Sequence, residues 1–405
     1  MKNLLCLLLV FVLWSCNDDD IQYETVNVAI PQVMSKAEFR NSVEILPSQT
    51  IDEAGKIYVY QDYIFVNDEF KGVHIIDNSN PASPQQISSI KIPGNVDISI
   101  KDNYLFADSS IDLLVFDISN INNIQMVERL EDVFSYYNYQ IPVGTDVAEF
   151  GDYNPENDVI VGWELVQQQR EVINDDAVLE TFNGGASGDV GTGGSLARFQ
   201  IVDNYLYTVG VSEMSIFNIE NLAQPNLVTT QYSGWNIETM FHADGYLYLG
   251  GSNGMYIYSL ENAANPSYVS EFIHWEGCDP VVVDGDYAYL TLRGGNECGQ
   301  QESVLEVIDI SDKAYPTLVA AYFLDNPYGL GFKGNSLYVC DGTSGLKVYD
   351  KTDPIQLQLS QTFIDLQAKD VVPMDDVLIM IGDNIVYQYE YGEGTLQQIS
   401  VLDLN

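Results

Sequence analysis

The residues whose types could do chemistry are a few acids and arginines. Asp97, Glu238 and Asp279 recur at comparable places along the chain, and Arg198 and Arg293 offer basic partners. Two carboxylates about 5–10 Å apart beside a basic group form the geometry that cleaves glycosidic bonds. A hydrolase or lyase with an acidic site is therefore one reading. The motifs that would support an enzyme are missing: there is no G-x-S-x-G and no H-E-x-x-H. The three histidines (His74, His242 and His274) are scattered. The Gly-rich run Gly184–Asp189 is followed by no Gly-Lys-Ser/Thr, so it is not a phosphate loop. We assign no catalytic residue, no metal and no cofactor. Calcium is left open among the many acids, with no motif to carry it.

The elements that must position these residues follow from a repeat. A short aromatic–aliphatic unit begins at Tyr63, Tyr104, Tyr205, Tyr246, Tyr287, Ser336 and Val377. Successive separations are 41, 101, 41, 41, 49 and 41 residues. Each unit alternates at the period of a strand, and both of its faces are apolar, so it must be covered on both sides. Asp, Asn and Gly precede each unit and close tight hairpins. A third strand follows, as in Leu113–Asp117 or Leu346–Asp350, then Asn/Pro turns and a fourth strand. Four antiparallel strands in about forty residues, without a helix signal, describe a propeller blade. The expected fold is all-β, a seven-bladed β-propeller of four-stranded antiparallel blades, with eight blades as the alternative. The separation of 101 leaves a long insertion at 131–196 between blades two and three. It holds one strand signal, Val159–Trp163. A smaller insertion, Gly294–Glu302, interrupts blade five.

In these repeats the Leu-Val-Tyr-Asp-like third strand and the Asp-x-Ser-Asn-Pro-like turn resemble the LVIVD-repeat family of bacterial cell-surface proteins. Segments Gly94–Ile98, Cys278–Val283 and Asn326–Gly331 carry much of the likeness. It extends over residues 55–405 and implies a propeller on a cell surface, without an agreed activity.

The chain's start reads as an address. Lys2, the apolar run Leu4–Leu13 and Leu13-Trp14-Ser15-Cys16 resemble a bacterial lipoprotein signal peptide. Residues 1–15 would be removed and Cys16 lipidated. The acids Asp18–Asp20 resemble a surface-export signal, which places the protein in the bacterial outer membrane, facing outward. Residues 16–54 form a tether with leading strands at Val26–Val33 and Val43–Leu46. Either strand is a candidate to pair with the last blade, although that blade already has four strands of its own.

Charge narrows the partners. Lys and Arg number 16 against 59 Asp and Glu, a formal charge of −43. Nucleic acid needs a basic surface and is excluded. Anionic membrane surfaces are disfavoured, so contact with a membrane runs through the lipid on Cys16 only. The expected partner is a protein, peptide or glycan, bound by a monomer.

First-strand starts ring one mouth of a propeller's channel. This places Lys56, Asp97, Arg198, Glu238, Asp279, Tyr328, Lys369 and Asp370 around it. Asp68, Asp108, Arg293 and Asp341 belong to the same face through their second-to-third-strand loops. Trp235 and Trp275 precede the first strands of blades four and five at matching places. Both insertions emerge there too, which makes this the candidate binding face. Cys278 and Cys298 flank the first hairpin of blade five, and in an oxidising compartment they are expected to form a disulfide. Asp77, Asp117, Asp309 and Asp350 end third strands on the opposite face, where their side chains are expected to cap turns.

Overall fold

A computed structural model describes residues 23–135, 141, 145–171, 195–273, 280–294, 302–392 and 395–405. The chain opens with β1 (Tyr23–Ser35), α1 (Lys36–Asn41) and β2 (Glu44–Pro47). Blade one is β3 (Ala54–Tyr60), β4 (Tyr63–Asp68), β5 (Gly72–Asp77) and β6 (Gln85–Lys91). Blade two is β7 (Ile98–Lys101), β8 (Tyr104–Ser109), β9 (Asp112–Asp117) and β10 (Gln125–Leu130). The insertion supplies β11 (Val147–Ala148) and β12 (Asp158–Glu171). Blade three is β13 (Phe199–Val202), β14 (Tyr205–Val209), β15 (Glu213–Asn218) and β16 (Asn226–Tyr232). Blade four is β17 (Ile237–Ala243), β18 (Tyr246–Gly251), β19 (Gly254–Ser259) and β20 (Ser267–Ile273). Blade five is β21 (Val281–Asp284), β22 (Tyr287–Leu292), β23 (Ser303–Asp309) and β24 (Thr317–Leu324). Blade six is β25 (Leu330–Lys333), β26 (Ser336–Cys340), β27 (Leu346–Asp350) and β28 (Gln358–Phe363). Blade seven is β29 (Asp370–Pro373), β30 (Val377–Gly382), β31 (Ile385–Tyr391) and β32 (Leu396–Asp403).

Each blade is an antiparallel meander. The inner strands β3, β7, β13, β17, β21, β25 and β29 pack in that order, and β29 returns to β3. The ring therefore closes on seven blades among the described residues. The doubly apolar second strand now has its reason. Leu206 packs toward blade two with Phe106 and Leu113, whereas its neighbour Tyr207 packs toward blade four with Met240 and Leu247. Alternate residues feed two inter-blade cores, and every buried large side chain adds about 1.5–3 kcal/mol to the stack. In all seven blades a bulge shifts the register between third and fourth strands, as at Ile75/Ile76 and Gln388/Tyr389. Such bulges twist outer edges away from flat pairing.

The ring closes without exchanging strands between its ends. Ile51, Ile57 and Ile64 pack against Val372, Ile379 and Leu404. Asn384 accepts the Ala54 N–H at 3.0 Å and donates to the carbonyls of Ile51 and Asp52 at 3.1 and 3.2 Å. Asn78 and Gln388 exchange amide bonds across the same seam at 3.0 and 2.7 Å.

The leading strands do not join the last blade. β1 pairs antiparallel with β12, from Tyr23↔Glu171 to Ser35↔Asp158, and parallel with β11. β2 extends the outer edge of blade one, with Glu44 opposite Lys91. Blade seven is filled by β32, so its edge offers the leader no vacancy, whereas the insertion strand needs a partner. The result is a separate three-stranded sheet, not an eighth blade.

Third-strand acids behave as turn caps. Asp77, Asp117, Asp309 and Asp350 each accept the backbone N–H two residues on, at 2.8–2.9 Å. These bonds, with the hydroxyls of Ser79, Ser119, Ser311 and Thr352, hold all four carboxyls below their ordinary value. Asn218 takes the same role in blade three.

Candidate functional site

The inner-strand starts bring charges of alternating sign together. Lys56, Asp97 and Glu238 are buried, and Arg198 is half-buried between Asp97 and Glu238. Asp97 accepts N–H bonds from Ile98 at 2.7 Å, Arg198 at 2.8 Å and Phe199 at 2.9 Å. It thereby joins the inner strands of blades two and three. Lys56 Nζ lies 3.7 Å from its carboxylate. Burial nevertheless raises the Asp97 carboxyl to about 6, with Lys56 opposing the rise and Asp108 adding to it. Arg198 Nε donates to the Glu238 carbonyl at 3.2 Å. Asp97 is thus held by three backbone donors and a basic neighbour, whereas the Glu238 carboxylate accepts Asn236 Nδ2 at 3.3 Å.

Second-strand ends form a recurring clip. Asp68 accepts the N–H groups of Asp52 and Glu53, Asp108 those of Val96 and Asp97, and Asp341 those of Asp325 and Asn326. Each carboxylate ties the link entering a blade to that blade's first hairpin. Lys347 pairs with Asp341 and His74 Nε2 lies 3.5 Å from Asp68.

Elsewhere on the rim Arg293 lies over the Tyr328 ring, 4.3 Å from its centroid. Asp370 is buried and accepts the Val371 N–H at 2.8 Å. Lys369 faces Asp383 at 3.5 Å. Trp235 is exposed, at the link into blade four. Trp275, Asp279, Cys278, Cys298 and Cys16 lie outside the described residues, as do the signal segment and most of the insertion in blade five. Cys340 is a buried free thiol, and burial raises its pKa.

Several residues that sequence reasoning missed decide the shape of this face. Ser195 Oγ, just before blade three, accepts the Leu330 N–H of blade six at 2.8 Å. Residues 195–197 are buried, and the Ala197 carbonyl accepts the Met240 N–H. This segment bridges blades three, four and six, so it lies across the ring's mouth. Of the charges around it, Lys56, Asp97, Glu238 and Asp370 are buried.

The open concavity lies beside the axis, over blades two and three. It is a cavity of about 80 Å³. Its floor is Asp97, Asp108, Arg198 and Phe199, one wall is Thr208, Glu213 and Ser215, and β12 roofs it with Val159, Ile160 and Trp163. The roof is fastened from below. Ser110 Oγ donates to the Ile160 carbonyl at 2.8 Å, and Val159 packs with Phe39 of α1 and Ile111 of blade two. Asp112, fully buried, receives Arg40 at 3.0 Å and Arg129 at 2.8 Å, and Arg40 also reaches Glu131 and Asp132. That cluster docks α1 on blade two, and α1 carries β1 to the roof strand. Phe134 packs edge-on to Phe217, with Ser135 donating to Glu213 at 2.8 Å. Three carboxylates line the cavity against the Arg198 guanidinium, with Lys56 behind Asp97, and the remaining negative charge biases the cavity toward a positively charged group. Its size suits one small polar group or a few waters. Among the described residues no group of three His, Cys, Asp or Glu is placed to hold a metal ion.

Comparison with known proteins agrees with this architecture. A sequence model of the LVIVD repeat matches residues 52–91, 94–132 and 278–323, in blades one, two and five. No curated protein matches the chain in sequence. Its fold is similar to that of Ika8, a computationally designed protein, at 9% identity over 87% of this chain and 89% of that one, with a TM-score of 0.51. BamB from Moraxella catarrhalis is similar at 9% identity over 83% and 84% of the two chains, with a TM-score of 0.50. A protein from Lactobacillus plantarum aligns at 10% identity over 77% and 84%, with a TM-score of 0.53. At such identities the likeness concerns the fold alone. The chain carries LVIVD repeats and folds as a β-propeller.

Proposed function

We propose that this propeller is a binding module, held on the outward side of a bacterial outer membrane by lipid on Cys16. It acts as a monomer and grips a protein, peptide or glycan with the mouth face, and a Cys278–Cys298 disulfide braces blade five. The observation that carries the reading is the roofed cavity. Blades two and three and the insertion line it, and α1 and β1 brace its roof strand from behind. Its carboxylate-rich lining, with the Trp163 and Phe199 rings, favours a ligand group bearing positive charge, such as a Lys or Arg side chain or an amino sugar.

Peptide and glycan arrays probed with the purified protein test this. Retained ligands rich in Lys, Arg or amino sugars, lost with Glu213→Gln and with Trp163→Ala, are the expected result. Failure to retain any ligand, or retention indifferent to both substitutions, overturns the reading. Metabolic labelling with an alkyne fatty acid tests the anchor: wild type takes label and Cys16→Ala does not. Protease treatment of intact cells then tests the outward orientation, which requires cleavage.

A further inference from the structure

A second concavity lies on the outer halves of blades three and four, apart from the roofed cavity. It is an open groove of about 490 Å³ lined by four tyrosines. Tyr256 and Tyr258 alternate along β19 and form a buried floor, 8% and 5% exposed. Tyr232 at the end of β16 and Tyr268 on β20 stand up as walls, 67% and 53% exposed. Trp235, 64% exposed, stands on the adjoining link. Floor and link are fixed. Tyr256 Oη donates to Asn253 Oδ1 at 3.0 Å and accepts the Trp235 N–H at 3.4 Å. Gly234, at φ +140°, lies so close that a Cβ there would stand 2.8 Å from the Tyr256 ring. Gln231 ties the two blades through the Pro266 carbonyl at 3.0 Å.

Exposed rings gathered in one groove lose apolar contact unless a ligand covers them. The ligand must bring flat apolar faces edged with hydrogen-bonding groups, because phenol hydroxyls and the Glu271 carboxylate edge the rings. Pyranose rings have that form: C–H groups on a face, hydroxyls at the rim. Glu271 is the charged residue of the lining, and the whole chain carries −43, so uronic or sulfated sugars are repelled. A proline-rich peptide seats its rings in slots between facing aromatic rings. Here Tyr258 and Tyr268 meet edge to face, 5.8 Å apart at 75°, and leave a ring face open instead of a slot.

We propose that this tyrosine groove binds a neutral oligosaccharide. The proposal shares with the preceding reading only the general role of binding module, since the groove and the roofed cavity have no lining residue in common. The test is calorimetric titration of the purified protein with cellohexaose, xylohexaose and mannohexaose, with polygalacturonate and decaproline as contrasts. Saturable binding of at least one neutral hexasaccharide is expected, weakened about tenfold by Tyr268→Ala and by Tyr232→Ala. Tyr268→Phe, which keeps the ring face, retains most of the affinity. Phe323→Ala, an exposed ring on blade five, leaves it unchanged, and thermal melting confirms that each variant is folded. No saturable binding of any neutral hexasaccharide by folded wild type overturns the proposal. Binding indifferent to Tyr232 and Tyr268, or preference for decaproline or polygalacturonate, also overturns it. If an array ligand depends on Glu213 and Trp163 while the hexasaccharides fail, the groove falls and the roofed cavity stands. The reverse pattern removes the cavity and keeps the groove.

Discussion

Asp97 gives the roofed cavity a pH signature. Its carboxyl is raised from 3.8 to about 6 by burial, which outweighs Lys56 and three N–H donors. An acid raised in the fold destabilises it when ionised. Below pH 3.8 both states are protonated and the penalty is absent. Between pH 3.8 and 6 the unfolded chain releases the proton while the fold retains it, so stability falls as pH rises. Above 6 the loss is complete. A carboxyl moved from 3.8 to about 6 corresponds to about 3 kcal/mol. Asp97→Asn removes the charge and keeps the shape. Its amide oxygen serves the Arg198 and Phe199 donors, while its NH₂ opposes the Ile98 N–H, a cost of about 1–3 kcal/mol at every pH. Wild type is therefore the more stable at pH 4, and its advantage shrinks by about 2.4 kcal/mol by pH 7.5. Urea unfolding of both proteins at pH 4, 5, 6 and 7.5 measures this, because the difference between curves cancels the other carboxylates. A difference that stays constant across that range refutes the reasoning.

Three further outcomes follow from the fold. Asn384→Ala strips the closure seam of an acceptor and two donors and lowers unfolding stability by about 2–4 kcal/mol, read by urea unfolding at pH 7.5. Arg40→Ala leaves buried Asp112 with Arg129 and the Asp132 N–H. Hydrogen exchange is then expected to rise in residues 36–41 and 158–163 while the blade-five strands stay protected. Gly254→Ala places a Cβ 2.0 Å from the Phe272 carbonyl oxygen at φ +139°, and thermal melting is expected to show a loss of at least about 2 kcal/mol.

The blades were legible because they repeat. Tyr205, Tyr246 and Tyr287 announce second strands by spacing, and Asp77, Asp117, Asp309 and Asp350 announce turns by a local side-chain bond. Both signals lie within a few residues of the structure they specify. The leading strands were visible as strands, yet their partners were not. The pairing of Tyr23–Ser35 with Asp158–Glu171 joins segments more than a hundred residues apart, and no local pattern encodes that choice. The mouth charges illustrate a different limit. Lys56, Asp97, Arg198 and Glu238 do mark first-strand starts, but sequence could not reveal that three of them are buried or that Ser195 bonds to blade six. Tyr232 and Tyr268 occupy different places in their repeats, so aligning blades does not bring them together. Only the packing of blade three beside blade four does.

The central claim is that ligand is held beneath the roof strand over blades two and three. Hydrogen–deuterium exchange of the purified protein, with and without the best array ligand, tests it most directly. Protection is predicted at residues 94–111, 159–163 and 198–215 together. Protection confined to other blades, or an unchanged exchange pattern at a saturating concentration of that ligand, would contradict it.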